Sequence, residues 1–390
     1  MNHVLRRLAL SGSIVSVLLF SCAGGGGGGG GIGGTGKVRM ALTDAPSCGY
    51  DSVNVTIEKL RIHEHADANG GDAGWSDIVL DPPKRVDLLT LQNGILEPLG
   101  ETAVTASHYA QIRMVLAENS KAAPLANSVV PTGQAEVPLD TASGSHSGIK
   151  VKLDATVEPD QTVDVVLDFD ACLSVVKAGN SGKYKLKPVV TAIPVGPAGQ
   201  GVVGYVDPTL AMGSTQVSVQ TNGVPVKATA PDANGQFTLY PVPAGSYDLV
   251  ISAQGRVTAV VRGVPVDTTA YTYVNNAATP INPGPLQAGA RQVTGKVSPA
   301  SATVRLVQPL SGGTLVEAAY APVDAKFGSY LATVPIDAPW LADFSPVALI
   351  FHVDYEAQGR YTVEAISNGQ RKAQLIDARQ PVPPINFSFD

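Results

Sequence analysis

A chain of 390 residues with 44% hydrophobic, 15% charged and 6% aromatic side chains carries enough apolar surface for two or three cores rather than one. Its formal charge of −6 argues against nucleic acid as a partner, because affinity there depends on Lys and Arg neutralising phosphates. Met1 to Arg7 contain Arg6 and Arg7 and no acid, and Leu8 to Phe20 follow as an apolar stretch. That pattern is an export signal, shorter than the ~20 residues a spanning helix needs.

The run Leu19-Phe20-Ser21-Cys22 resembles the lipobox of bacterial lipoproteins. The resemblance implies a signal peptide over 1–21, cleavage before Cys22 and lipid on that cysteine, with the membrane as a partner through the anchor. Losing Arg6 and Arg7 takes the formal charge from −6 to −8. Ala23 rather than Asp follows the cysteine, which points to the outer membrane as the place in the cell envelope. Gly24 to Gly31 are uninterrupted glycine, so residues 22–37 are expected to be a flexible tether. Gly31 to Lys37 nearly spell a phosphate-binding loop, but Val38 stands where a magnesium-binding hydroxyl is required, so no nucleotide is expected.

Beyond the tether, short alternating runs of Val, Thr and Ile are punctuated by Gly and Pro, and long helical periods are absent. The fold class expected is all-β, as tandem β-sandwich domains. A first domain occupies 38–195, opening on Val38 to Leu42 and closing on Tyr184 to Val190. A second covers 200–277, with strands expected at 202–206, 215–220, 236–240, 246–252 and 257–261. Residues 278–291 are polar and Pro/Gly-containing and read as a linker, and a third, sandwich-like domain fills 292–390. The last two look like diverged copies of one plan. Val203-Gly204-Tyr205-Val206 answers to Thr294-Gly295-Lys296-Val297, and Asp232 to Phe237 answers to Asp324 to Tyr330. The third departs by an insertion, roughly Ile336 to Val347.

Gly204-Tyr205-Val206, Asp232-Ala233-Asn234-Gly235-Gln236-Phe237 and Pro243-Ala244-Gly245-Ser246-Tyr247 make the second domain resemble the carboxypeptidase regulatory-like family of transthyretin-like sandwiches. Membership implies a fold and leaves stability, adhesion and carbohydrate binding open. Leu42-Thr43-Asp44-Ala45-Pro46, followed by Val53 to Ile57, Val86 to Leu89, Tyr109 to Arg113 and Leu167 to Ala171, makes the first domain resemble a bacterial lipoprotein family still classed as a domain of unknown function. That resemblance implies a β-sandwich on a surface lipoprotein and transfers no functional residue.

Four constellations are candidates for chemistry. Asp164, Asp168 and Asp170 share one face of a strand and suit either a calcium ion or cross-strand pairing with Lys183, Lys185 and Lys187; pairing is the favoured reading. His63 and His65 have a spacing that can chelate zinc, with Asp67, Asp72, His108 and His146 as further ligands only by conjecture, so two solvated histidines are expected. Gly144 to Gly148 fail as a nucleophile elbow because His146 holds the serine position. Asp44 sits before a proline turn, where Asp commonly accepts backbone N–H bonds; it is also the candidate binding residue. Cys48 and Cys172 form an even pair for an oxidising compartment and are expected as a disulfide. No nucleophile with a base or metal is visible, so no enzyme activity, no metal and no cofactor is expected. The reading is a non-enzymatic envelope lipoprotein serving as a binding or scaffolding module for an envelope protein or polysaccharide. A carbohydrate-binding lipoprotein is the alternative, and a metal-dependent enzyme comes a distant third.

Overall fold

The computed structural model describes residues 34–44, 49–179, 182–196, 200–210 and 214–389. Cys22, Cys48 and the export signal lie outside them. Residues 34–390 cluster as one compact unit, and the architecture is all-β as expected, built from three sandwiches. Among the described residues no helix is long and apolar enough to cross a membrane.

In the first sandwich, Thr35–Asp44 lies between Glu97–Thr105, antiparallel, and Thr162–Phe169, parallel, with Val190–Val195 on the outer edge of Thr162–Phe169. The strand begins at Thr35, inside the stretch expected as tether, because Thr35 to Lys37 already pair with Thr105 to Ala103. Strict alternation buries Val38, Met40 and Leu42, which meet Val165, Leu167 and Phe169 in the core. Each such side chain contributes ~1.5–3 kcal/mol by leaving water. The second sheet centres on Tyr50–His63, a strand long enough to pair with Ser76–Asp87, Ser107–Leu116 and Ser128–Pro131.

The second and third sandwiches share one topology. Gly201–Tyr205 sits between Gln236–Leu239 and a parallel Tyr271–Tyr273, and Ala290–Ser298 sits between Ser329–Pro335 and a parallel Ile385–Ser388. Their facing sheets run Val224–Thr229, Thr215–Thr221, Gly245–Ala253, Ala259–Val266 in one, and Leu315–Ala321, Thr303–Pro309, Arg360–Ser367, Gln370–Asp377 in the other. The turns match at the glycine that closes them, although the third sandwich carries one more residue between Asp324 and Gly328 than the second does between Asp232 and Gly235. Val206 donates its N–H to Gly235 O, and Val297 donates to Gly328 O, both at 2.8 Å. At these two glycines φ is +78° and +65°, and a Cβ would stand 2.0 Å from Val206 O and 2.1 Å from Val297 O. No other residue type fits that approach.

The insertion of the third sandwich does not belong to its own sheets. Trp340–Asp343 runs parallel to Ala259–Arg262 and extends the sheet of the second sandwich, with His352–Val353 added outside it. Leu341 and Ala357 join Leu310 and Val316 against Val250 and Val260, a small apolar core between the two sandwiches. Segment 278–291, expected as a linker, is instead fixed along the same flank, where Ile281 bonds to Tyr205 and Leu286 to Gly255 through the backbone.

Candidate functional site: the seam of the three sandwiches

The expected ladder between the aspartates and the lysines is not formed. Tyr184–Leu186 pairs with Val175–Lys177 and Val137–Asp140, in the other sheet from Thr162–Phe169. The alternation puts Asp164 and Asp168 on the face away from the core, and the second sandwich covers that face at Asp168 while Asp164 stays partly exposed. Asp164 takes a bidentate contact from Arg39 at 2.6 and 2.9 Å. Asp170 accepts the Leu173 N–H at 2.8 Å and caps the short helix Ala171–Ser174. Asp168 meets Lys227 Nζ of the second sandwich at 2.5 Å, with 1% of the lysine side chain and 10% of the aspartate exposed.

Lys227 lies on Val224–Thr229, a strand absent from the expected set. Its signal was in the sequence: Asn222-Gly223, both at positive φ, is a tight-hairpin dipeptide between two apolar runs. The tip of that hairpin reaches the third sandwich, where Arg305 donates to Gly223 O at 2.6 Å and to Glu364 at 2.9 and 3.0 Å, and lies 3.7 Å from Glu317. Gln220 makes a two-way bond with the backbone of Glu317, at 2.7 and 3.1 Å.

The first sandwich grips both others. Asn93 donates its N–H to Thr229 and accepts the Thr238 N–H, while Gly179 donates to Asp324 and Lys187 to Ala300 O.

A cavity of about 350 Å³ lies in this seam, with Asp168, Asp170, Lys227, Arg305, Glu317 and Tyr320 on its wall beside apolar side chains such as Leu173 and Ile366. Burial drives the Glu317 carboxyl up to about 7 against the pull of Arg305, and drives Asp170 up to about 6 against its backbone bonds. Burial also raises the Tyr320 hydroxyl to about 12. Two carboxyls that change charge near neutrality beside a preformed cavity mark a candidate ligand site.

Asp44 is 1% exposed. Its Oδ1 accepts the Ala171 N–H at 2.8 Å, and its Oδ2 has no partner. Burial, aided by Asp170 and Asp168, holds this carboxyl well above the usual range. Thr43 beside it bonds to Leu91 O at 2.9 Å, so this motif anchors the loop that carries Asn93. Because burial disfavours the charged form of this acid and an amide oxygen can still accept the Ala171 N–H, Asp44→Asn is expected to cost less stability than removal of the side chain. Asp44→Ala leaves the Ala171 N–H unmet and should cost about 1–3 kcal/mol, measurable by urea denaturation.

His63 is buried, contrary to the solvated histidine expected, and uses both ring nitrogens internally, on His65 N–H and on Ala73 O, each at 2.9 Å. Its ring packs 4.9 Å from Trp75, and no group of metal-ligating residues is present among the described residues. Cys172 is disulfide-bonded; Cys48, its expected partner, lies outside the described residues.

The described chain is thus an array of β-sandwiches joined through buried polar contacts. Residues 35–188 match the family described as Domain of unknown function (DUF4382). No curated protein matches the chain. Among solved structures, it is similar to a type II cohesin–X-dockerin complex from Acetivibrio cellulolyticus mutated at its N-terminal interface, at 23% identity and a TM-score of 0.18. The counterpart mutated at the C-terminal interface gives 28% and 0.17. Each alignment covers 21% of this chain and 55% of that one, so the chain spans about half the length of those structures. A ligand-free PulA mutant from Klebsiella pneumoniae aligns over 84% of this chain and 29% of its own, at 12% identity and a TM-score of 0.14.

Proposed function

We propose that the protein is a non-enzymatic lipoprotein of the outer membrane, anchored through Cys22, whose three sandwiches present one rigid, preformed binding surface to an envelope protein or polysaccharide. The observation that carries this reading is the seam: cross-sandwich bonds from Asn93, Lys227, Gln220 and Arg305 fix the modules against one another. A surface built this way loses little conformational entropy on binding. The shared topology and turns of the second and third sandwiches support reading both as transthyretin-like, carboxypeptidase regulatory-like modules.

The test is affinity capture from intact cells with the full-length lipidated protein, followed by a Cys22→Ala comparison. Wild-type protein is expected to incorporate a palmitate analogue, fractionate with membranes and retrieve an envelope component; Cys22→Ala should lose labelling and membrane retention. Labelling that survives the substitution would remove the anchor from this reading. Catalytic turnover that disappears in Asp170→Asn would replace binding with an enzymatic role.

A further inference from the structure

We infer that the cleft between segment 271–282 and the 340–351 insertion binds a neutral glycan, an assignment that rests on the reading of the protein as a binding module and names its ligand class. The cleft encloses about 680 Å³, and none of its fifteen lining residues carries a charged side chain. In a chain that is 15% charged, such a lining selects against anions and cations alike. What it offers is aromatic rings, amides and hydroxyls set among aliphatic side chains such as Val274, Ile281 and Leu349.

Trp340 and Phe351 stand 6.3 Å apart at 44° on one wall. Tyr273 contributes from the other side and is 65% exposed. Gly284 makes room for the indole, since a Cβ there would come within 2.9 Å of Trp340 Cζ2. Aromatic faces of this kind stack on the C–H faces of pyranose rings, burying apolar area while the ring hydroxyls stay at the edge.

The amides are held in fixed orientations with capacity to spare. Asn276 accepts the Ala278 N–H at 2.9 Å through Oδ1, which leaves its NH2 free to donate. Asn282 donates to Asp207 at 3.0 Å, which leaves its carbonyl oxygen free to accept. Ser345 Oγ accepts from Val347 and Ala348 and keeps its own hydrogen to give. Preset donors and acceptors around an apolar floor are what a polyhydroxylated, uncharged ligand needs. Both walls are required, so the site exists only because the third sandwich lends its insertion to the second.

The chain has two tryptophans, and Trp75 is in the first sandwich, so a Trp75→Phe full-length protein leaves Trp340 as the sole indole reporter. Titrating it with neutral hexasaccharides (maltohexaose, cellohexaose, mannohexaose and N-acetylchitohexaose) is expected to give a saturable Trp340 fluorescence change with at least one of them. The affinity should be unchanged between about 50 and 500 mM NaCl, roughly the range over which charge-based binding weakens strongly. Tyr273→Ala, at an exposed position, should keep the melting temperature and lose affinity about tenfold; Asn276→Ala should weaken binding in the same direction. The inference is overturned if no hexasaccharide saturates the signal at millimolar concentration, or if binding ignores both substitutions. A captured envelope protein whose retention is lost in Tyr273→Ala, without any glycan response, would place a protein in the cleft and overturn the glycan assignment while leaving the binding-module reading intact. Failure of both capture and titration would remove both.

Discussion

Lys227→Met is expected to destabilise the folded unit by about 3–5 kcal/mol, because it leaves the Asp168 carboxylate buried against the second sandwich without its partner. Coulomb attraction alone does not set this figure. Burying both ions has already cost most of what their attraction returns, and removing one leaves the other's desolvation uncompensated. The double variant Lys227→Met with Asp168→Leu should therefore recover most of the loss. Urea denaturation of the three proteins checks this, with Arg39→Met as the contrast: the Arg39–Asp164 pair is exposed on both sides, and its loss should move the midpoint much less. Equal shifts for Lys227→Met and Arg39→Met would show that the seam is open to water.

The stability of the unit is expected to fall as pH rises from about 5 to 8. Glu317 has its ordinary value of 4.5 raised to about 7, and Asp170 its 3.8 raised to about 6, so the folded protein holds protons in this range that the unfolded chain has released. The stabilisation is fully present below the ordinary values of 3.8 and 4.5, and is lost as pH climbs through about 6 for Asp170 and about 7 for Glu317. Asp44, raised well above its ordinary value by burial, acts in the same direction. A tenfold change in proton affinity corresponds to ~1.4 kcal/mol. Glu317 and Asp170 repel each other once both are charged, so they titrate as a pair rather than singly, and between them they amount to on the order of 3–6 kcal/mol. At the acid end the opposite group takes over, since Asp377, lowered to about 2 by its bonds from Arg379, loses its contribution as pH falls. Urea midpoints at closely spaced pH values should show the decline, and Glu317→Gln should flatten its upper part. A wild-type profile level across this range, or a slope untouched by Glu317→Gln and Asp170→Asn, would disprove the assignment.

The all-β class was legible because alternation is local. Val38, Met40 and Leu42 announce a strand with one buried face whatever lies across from it. The partner of each strand is not local information, and for the aspartates nearness in sequence misleads. Alternation correctly sets Asp164 and Asp168 off the core face, yet Lys183, Lys185 and Lys187, the lysines that follow them, belong to another sheet. The true partners are Arg39, 125 residues away, Lys227, 59 residues away, and a backbone N–H. Glu317 and Tyr320 gave no signal at all, since a carboxyl gains chemical interest only from the burial that three packed modules impose. The repeat between the second and third sandwiches was readable down to Gly235 and Gly328, because a glycine forced by a close backbone approach is a steric fact that both copies obey. The insertion was visible as extra sequence. That it serves a neighbour's sheet was not, because nothing in Trp340 to Asp343 says whose edge it will extend.

That lent strand bears on how such a protein can be assembled and inherited. Ala259–Val266 is an interior strand only once residue 343 has been made, so during synthesis the second sandwich waits with an open hydrogen-bonding edge until the insertion emerges. A recombination event cutting at 278–291, the obvious joint by composition, would hand one descendant an unpaired edge rich in Val and the other a strand with nowhere to pair, and both are aggregation hazards. The second and third sandwiches are therefore one heritable piece, whereas a crossover near residue 195 would divide no sheet.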